Sequence, residues 1–271
     1  MTDLTQYTPD KYRLLKLDNR DGSVEHFYHF ILGYLGPILL RDPKKMPPLN
    51  YLVRSCGPMD KLTAEFNFTD ITVIPKQDWI GVVGLRNVPG RKLMGFDHPD
   101  YYEAAALQRL GRTVLDRFGV TAAAEPDLTL IIGRGESPEY YQSEAAENPF
   151  SGKLRRSVPN LPAIAAAIGA VRANVRLLEL EGSTLREQVT LFSRAKCVIA
   201  QHGAALTNIL WMPPGGHVVE FINAEIAVRG EYNRHFADLA RAMGQSYRAV
   251  PQAHRHAEID PQLVIEALAA G

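Results

Sequence analysis

The chain is short of cysteine, of net charge and of long apolar runs, and each shortage removes a class of protein. Two cysteines, Cys56 and Cys197, stand far apart in 271 residues and show neither metal nor redox spacing. They read as reduced thiols, which suits a cytosolic protein. Thirty basic residues balance thirty acidic ones, so the overall charge gives no reason to expect nonspecific nucleic-acid binding. The longest apolar run, Tyr28 to Leu40, is broken by Gly33, Gly36 and Pro37 and falls short of the roughly 20 residues that span a bilayer. A core or surface-docking helix is expected there, with peripheral contact at the inner face of a membrane left open. The start, MTDLTQYTPDKYR, lacks the basic-then-apolar layout of a secretion signal. Internal repeats and low-complexity segments are missing too.

What is present is an alternation of strands and helices. In the first half YRLLKL, LNYLVRS, DITVIP and IGVVGL read as strands. HFYHFILGYLGPILL reads as a buried helix that Pro37 bends or shortens. Leu107, Leu110, Val114 and Phe118 recur at helical spacing and share one face of a helix over 101–118. The pattern pauses at TAAAEPD, the expected linker. The second half follows with strand LTLIIG, a long polar loop over 134–160, helix 161–171, strand RLLEL, helix 183–195 and strand CVIA. Ser183, with Glu187 behind it, reads as the capping signal of the helix over 183–195. Strand HVVEFI, helix YNRHFADLARAM, strand YRAV and helix PQLVIEALA complete the series. Such alternation predicts an α/β protein with parallel sheets covered on both faces. At roughly 150 residues per domain, 271 residues make one large domain or two small ones.

In open parallel sheets, ligands bind beyond the carboxyl ends of the strands. That rule selects Arg134, then Gln201-His202-Gly203, then Glu220, from three expected strands that converge on one rim. Gly203, Ala204, Ala205, Leu206, Thr207 and Asn208 follow the 197–200 strand, where a helix should begin. A helix start offers free N–H groups to a phosphate, and small residues let it approach. The same stretch also suits a tight turn packed under the sheet. Arg134, Arg155 and Arg156 offer planar forks to phosphate oxygens, or else form a solvated charge cluster. Glu220 suits the two hydroxyls of a ribose, or else is a capped or exposed glutamate. No Walker A run occurs, and Pro138 breaks the dinucleotide fingerprint begun by Gly133-Arg134-Gly135. No Asp-x-Asp pair marks a site for a divalent metal, and HRHAE at 254–258 matches no zinc spacing.

These pieces resemble the bacterial branch of glycosyltransferase family 61. The resemblance rests on REQVTLFSRAKCVIAQHGAALTNILWMPPGGHVVEF over 186–221, on LRRSVPN, which places Arg155, Arg156 and Asn160, and on Arg134. FYHFILGYLGPIL resembles the family's Tyr-His-Phe/Trp helix. One departure is Gly33, which stands roughly where the family often carries an acidic residue. The resemblance implies a GT-B fold, two Rossmann-like domains with parallel sheets facing a cleft. It divides the chain into an acceptor-side domain over 1–122, a nucleotide-sugar domain over 123–255, and a last helix within 256–271 that crosses back onto the first domain. It also implies an inverting transfer from a nucleotide sugar, usually a UDP-sugar, to a glycan hydroxyl, as in capsular polysaccharide synthesis, with no tightly bound cofactor and no required metal.

On this reading the arginines and the amides from Gly203 onward carry the charge of the departing diphosphate, with Asn160, His202 and Glu220 completing the donor site. The base is expected from the first domain: His29, with Glu25 behind it, unless His29 is simply packed in the core. Two rivals stand beside this reading. One is a nucleotide-sugar-binding assembly or regulatory protein without transfer activity. The other is a nucleotide-sugar epimerase, which converts donor without an acceptor.

Overall fold

The computed structural model describes residues 4–84, 88–147, 149, 151–227 and 234–270. It divides into two compact units, 1–97 and 98–271.

The first unit is built on four parallel strands: β1 (Tyr12–Asp18), β2 (Asn50–Arg54), β3 (Ile71–Ile74) and β4 (Gly90–Met94). They lie in the order β3-β2-β1-β4. Leu14, Leu52, Ile74, Val82 and Val88 form a core there, with Trp79 packed on it. The helical segment expected around Pro37 runs from Phe27 to Leu39 with a π-helical stretch at Ile31–Leu35 in its middle. Proline has no N–H to give the preceding turn, and the chain passes it by widening rather than by breaking. Phe30, Ile31, Leu32, Leu35 and Ile38 are fully or almost fully buried along this segment, which touches β1 and β4. IGVVGL is not a strand. Residues Lys76–Gly84 are helical, burying Val82 and leaving Ile80 81% exposed; Leu85 lies outside the described residues. The fourth strand is instead GRKLM.

The second unit holds five parallel strands: β5 (Leu128–Ile132), β6 (Val175–Leu178), β7 (Ala195–Gln201), β8 (His217–Asn223) and β9 (Ser246–Gln252). Their order is β6-β5-β7-β8-β9. Ile131, Cys197, Ile199, Val219, Phe221 and Val250 pack with Ile164, Ile168, Val264 and Leu268 from helices Leu161–Gly169 and Pro261–Ala269. The last helix is thus bound into the core of the second unit. The boundary also differs from the expected linker at 122. Helix Ala104–Phe118 packs on Ala204–Trp211 and His235–Ala242; Gln108 Nε2 donates to the Ala242 carbonyl at 2.8 Å. The capping box of helix Leu185–Phe192 is formed by Thr184 with Glu187, not by Ser183. The helix expected over 232–243 is seen from His235 to Ala242; Tyr232 and Asn233 lie outside the described residues. Cys56 and Cys197 are both buried. Burial pushes the Cys197 thiol up to about 12, which keeps it protonated and unreactive.

His217 ties this unit's layers together. Its Nε2 contacts the Ala267 carbonyl at 3.1 Å and its Nδ1 the Ser246 hydroxyl at 2.6 Å. The carbonyl can only accept, so Nε2 carries the proton and Nδ1 accepts. Burial lowers its pKa below the usual 6.5, with Arg172 and Arg248 adding to the effect against the Ala267 bond. The unfolded chain therefore binds this proton first as pH falls, and stability present above about 6.5 is lost below it. The unfolding midpoint of wild type is expected to drop between pH 6.5 and 5 more steeply than that of His217→Gln. Parallel curves would remove His217 from the acid response.

Candidate functional site

Each sheet has one place where successive strands turn from one side to the other. In the first sheet this is the gap between β1 and β4; in the second it is the gap between β5 and β7. Ligands of open α/β sheets sit beyond the carboxyl ends of the strands at such switch points. Both clusters of candidate residues fall there.

At the second switch point, β5 runs into Gly133-Arg134 and β7 ends at Gln201. Arg134 Nε donates to Gln201 Oε1 at 3.1 Å, and its Nη2 donates to the His202 carbonyl at 2.7 Å. Arg156 Nη1 donates to the same carbonyl at 2.9 Å. The two arginines, 22 positions apart in sequence, meet because the long loop folds back on itself. Lys153 N donates to the Gly135 carbonyl at 2.8 Å, and the Ser137 and Ser151 hydroxyls lie 3.3 Å apart. Burial first, then repulsion from Arg156 and Arg155, pulls Arg134 down to about 9. Burial and Arg155 likewise pull Arg156 down to about 10, against the attraction of Glu220. Both stay charged at neutral pH. Arg155 ends the short helix Gly152–Arg155 and is exposed.

Gly203 follows with an extended backbone. A Cβ there would lie 1.9 Å from Arg134 Nη2, so glycine is present to let the guanidinium lie against the chain. Ala204–Trp211 then forms a 3₁₀-helix. Gly203, Ala204 and Ala205 are half-buried, whereas Leu206, Thr207 and Asn208 are buried. Asn208 Nδ2 donates to Gln188 Oε1 at 3.0 Å, and its Oδ1 accepts from Trp211 Nε1 at 2.9 Å. Thr207 Oγ1 is buried with no hydrogen-bond partner among the described residues. Asn208 is bonded into the interior.

Glu220 also differs from its expected place. It pairs with Ala200 and Ala249 inside β8, which continues to Asn223. It is fully buried, and both of its oxygens are engaged. Oε1 lies 2.5 Å from His202 Nδ1, and Oε2 accepts from the Tyr247 hydroxyl at 2.6 Å. Burial, followed by the charge and hydrogen bond of Glu220, pushes the Tyr247 hydroxyl well up, so it stays a donor. Glu220 thus orients His202, whose ring also meets Phe236 edge-on at 5.4 Å. Asn160 is a latch: its Nδ2 donates to the Ile259 carbonyl at 2.7 Å, and its Oδ1 accepts from Ile259 N at 3.1 Å. Gln201 Nε2 reaches the Ser157 carbonyl, Gln252 Oε1 and the Arg255 carbonyl at 3.1, 2.6 and 3.2 Å.

At the first switch point His29 stands on the helix after β1. The carboxylate against its Nδ1 is Asp97, at 3.0 Å, from the segment just past β4. Glu25 is fully buried and paired with Lys76. Asp97, Phe236 and Tyr247 were not legible as site residues. Among the described residues no group of three or more His, Cys, Asp or Glu side chains is arranged to hold a metal ion. No helix among them is long and apolar enough to cross a membrane.

Two parallel sheets, each with polar side chains gathered at its switch point, define a Rossmann-like α/β protein. The family model for Glycosyltransferase 61 matches residues 27–219, well over half of the chain. The chain belongs to that family of glycosyltransferases, which act on a sugar donor and an acceptor. No curated protein matches it.

Proposed function

We propose that the chain is an inverting glycosyltransferase of GT-B type that moves a hexose or pentose from a UDP-sugar to a hydroxyl of a glycan or similar acceptor. The observation that carries this reading is the convergence of Arg134 and Arg156 on one carbonyl at the switch point of the second sheet. Each guanidinium has five N–H donors. The protein engages two on Arg134 and one on Arg156. A diphosphate supplies acceptors for the remaining donors and negative charge beside two crowded cations.

In the transfer, an acceptor oxygen attacks the anomeric carbon as His29 takes its proton. The bond from that carbon to the diphosphate breaks, and the electron pair leaves with the diphosphate. Arg134, Arg156 and Arg155, with the amides at Gly203 to Ala205, stabilise that charge, and no metal is required for it. Donors fixed in advance at such a place lower the barrier without reorganising during the reaction. His202, held by Glu220, shapes the rim.

A thermal-shift panel of nucleotides and nucleotide sugars tests the donor class. A ligand at a hundred times its dissociation constant adds about 2.7 kcal/mol of apparent stability. UDP and at least one UDP-sugar are expected to raise the midpoint, and Arg156→Ala is expected to weaken UDP binding about tenfold or more, the worth of one charge-assisted hydrogen bond. A flat response to every uridine nucleotide would reject the reading.

A further inference from the structure

Asp97 is a fully buried carboxylate, and burying a charge is costly unless donors surround it. Three do. Arg20 N donates to Oδ1 at 2.6 Å, Asp21 N donates to Oδ2 at 3.3 Å, and His29 Nδ1 lies 3.0 Å from Oδ2. The fold leaves room for this one group. A Cβ on Gly33 would fall 2.9 Å from both Asp97 Cγ and Oδ2, and one on Gly95 would fall 2.9 Å from Oδ1. The position where the sequence lacks an acidic residue, Gly33, is thus where the Asp97 carboxylate packs. The acidic group arrives from β4 instead of from the helix.

A carboxylate can only accept, so His29 carries its proton on Nδ1 and keeps the lone pair of the neutral ring on Nε2. Among the described residues nothing bonds Nε2. The neighbour there is Gly22, with a left-handed φ of +47°, where a Cβ would lie 2.2 Å from Nε2. Any other residue at 22 would cover that nitrogen as well as strain the turn. Asp97 holds Nδ1 of the imidazole, and glycine at 22 lets the rest of the ring lie against the chain with Nε2 unbonded among the described residues.

We propose that Asp97 is the positioning residue of the transfer reaction. It fixes His29 as the Nδ1–H tautomer, aims Nε2 at the acceptor hydroxyl, and stabilises the imidazolium that forms when the hydroxyl proton moves to Nε2. The proposal rests on the reading of His29 as the base.

Nitrogen NMR on the full chain with ¹⁵N-labelled histidine tests it directly, with the His29 signals identified by their loss in His29→Gln. In neutral wild type the protonated nitrogen is expected to be Nδ1, and in Asp97→Ala the population is expected to move toward Nε2–H. With the donor found in the nucleotide panel, Asp97→Asn and Asp97→Ala are expected to lower kcat about a hundred- to ten-thousand-fold while KM for the donor stays within twofold. A wild-type His29 protonated mainly on Nε2 overturns the proposal, and this readout needs no variant to fold. Full kcat in a folded Asp97 variant overturns it too. If His29→Ala is also fully active, the base reading has failed; if His29→Ala is inactive, only the role of Asp97 has.

Discussion

Replacing His29 with alanine is expected to lower turnover about a hundred- to ten-thousand-fold, the usual worth of a general base, and to leave UDP affinity unchanged. The two effects separate because the groups assigned to the donor phosphates belong to a different sheet. His29 is only 18% exposed and is one of three donors to the buried Asp97 carboxylate, so its removal also lowers the unfolding midpoint. Turnover is therefore compared below that midpoint, where both proteins are folded. Single-turnover transfer, read beside calorimetry with UDP, distinguishes the outcomes. Unchanged turnover removes His29 from the mechanism. Equal losses of turnover and UDP affinity would mean that its role is in binding.

Gly203→Ala is expected to weaken UDP binding about 10- to 100-fold. The extended backbone at 203 accepts any residue, so the new methyl group adds no backbone strain. It does meet Arg134 Nη2 at 1.9 Å and Cζ at 3.0 Å. The guanidinium must leave, giving up Gln201 and the His202 carbonyl. A hydrogen bond to a charged group is worth about 1.5–3 kcal/mol, and each 1.4 kcal/mol is a factor of ten in affinity. Titration calorimetry on Gly203→Ala and Arg134→Ala checks the argument. The two variants should bind UDP equally weakly, because both remove the same contact. Wild-type affinity in Gly203→Ala would show that the donor does not use Arg134 in this pose.

The second sheet was readable because two of its strands, β5 and β8, are buried on both faces. Leu128–Ile132 and His217–Asn223 show no exposed position, and such runs read as strands without help from their neighbours. The first sheet hides its edge. GRKLM has three exposed positions that alternate with half-buried ones, so nothing in its composition marks β4. Missing that strand meant missing Asp97, which its end delivers to His29. IGVVGL failed for the opposite reason. A short apolar run does not say whether it is strand or helix. The helix over 104–118 was legible, but its apolar face does not say which sheet it covers, and the boundary was misplaced with it. Thr207, Asn208 and Glu220 stood out in the sequence as polar residues beside expected strand ends. Polar residues beside a rim serve either a ligand or the frame behind it, and only burial separates the two. For Asn208 and Glu220 the described partners belong to the frame.

Gln201 has a consequence for how the protein is made. Its amide joins Arg134 to the carbonyls of Ser157 and Arg255 and to Gln252. During synthesis, residues near the amino end emerge first and begin to fold first. Arg134 and Arg156 are therefore out of the ribosome long before Gln201 itself and before Gln252 and Arg255, which help to hold it. The contacts of Gln201 are complete only after residues 252–255 have followed. A nascent chain carries its arginines early and gains the contacts that fix Arg134 late, so on the proposed reading the order of translation delays nucleotide capture until the last strand of the second sheet has formed.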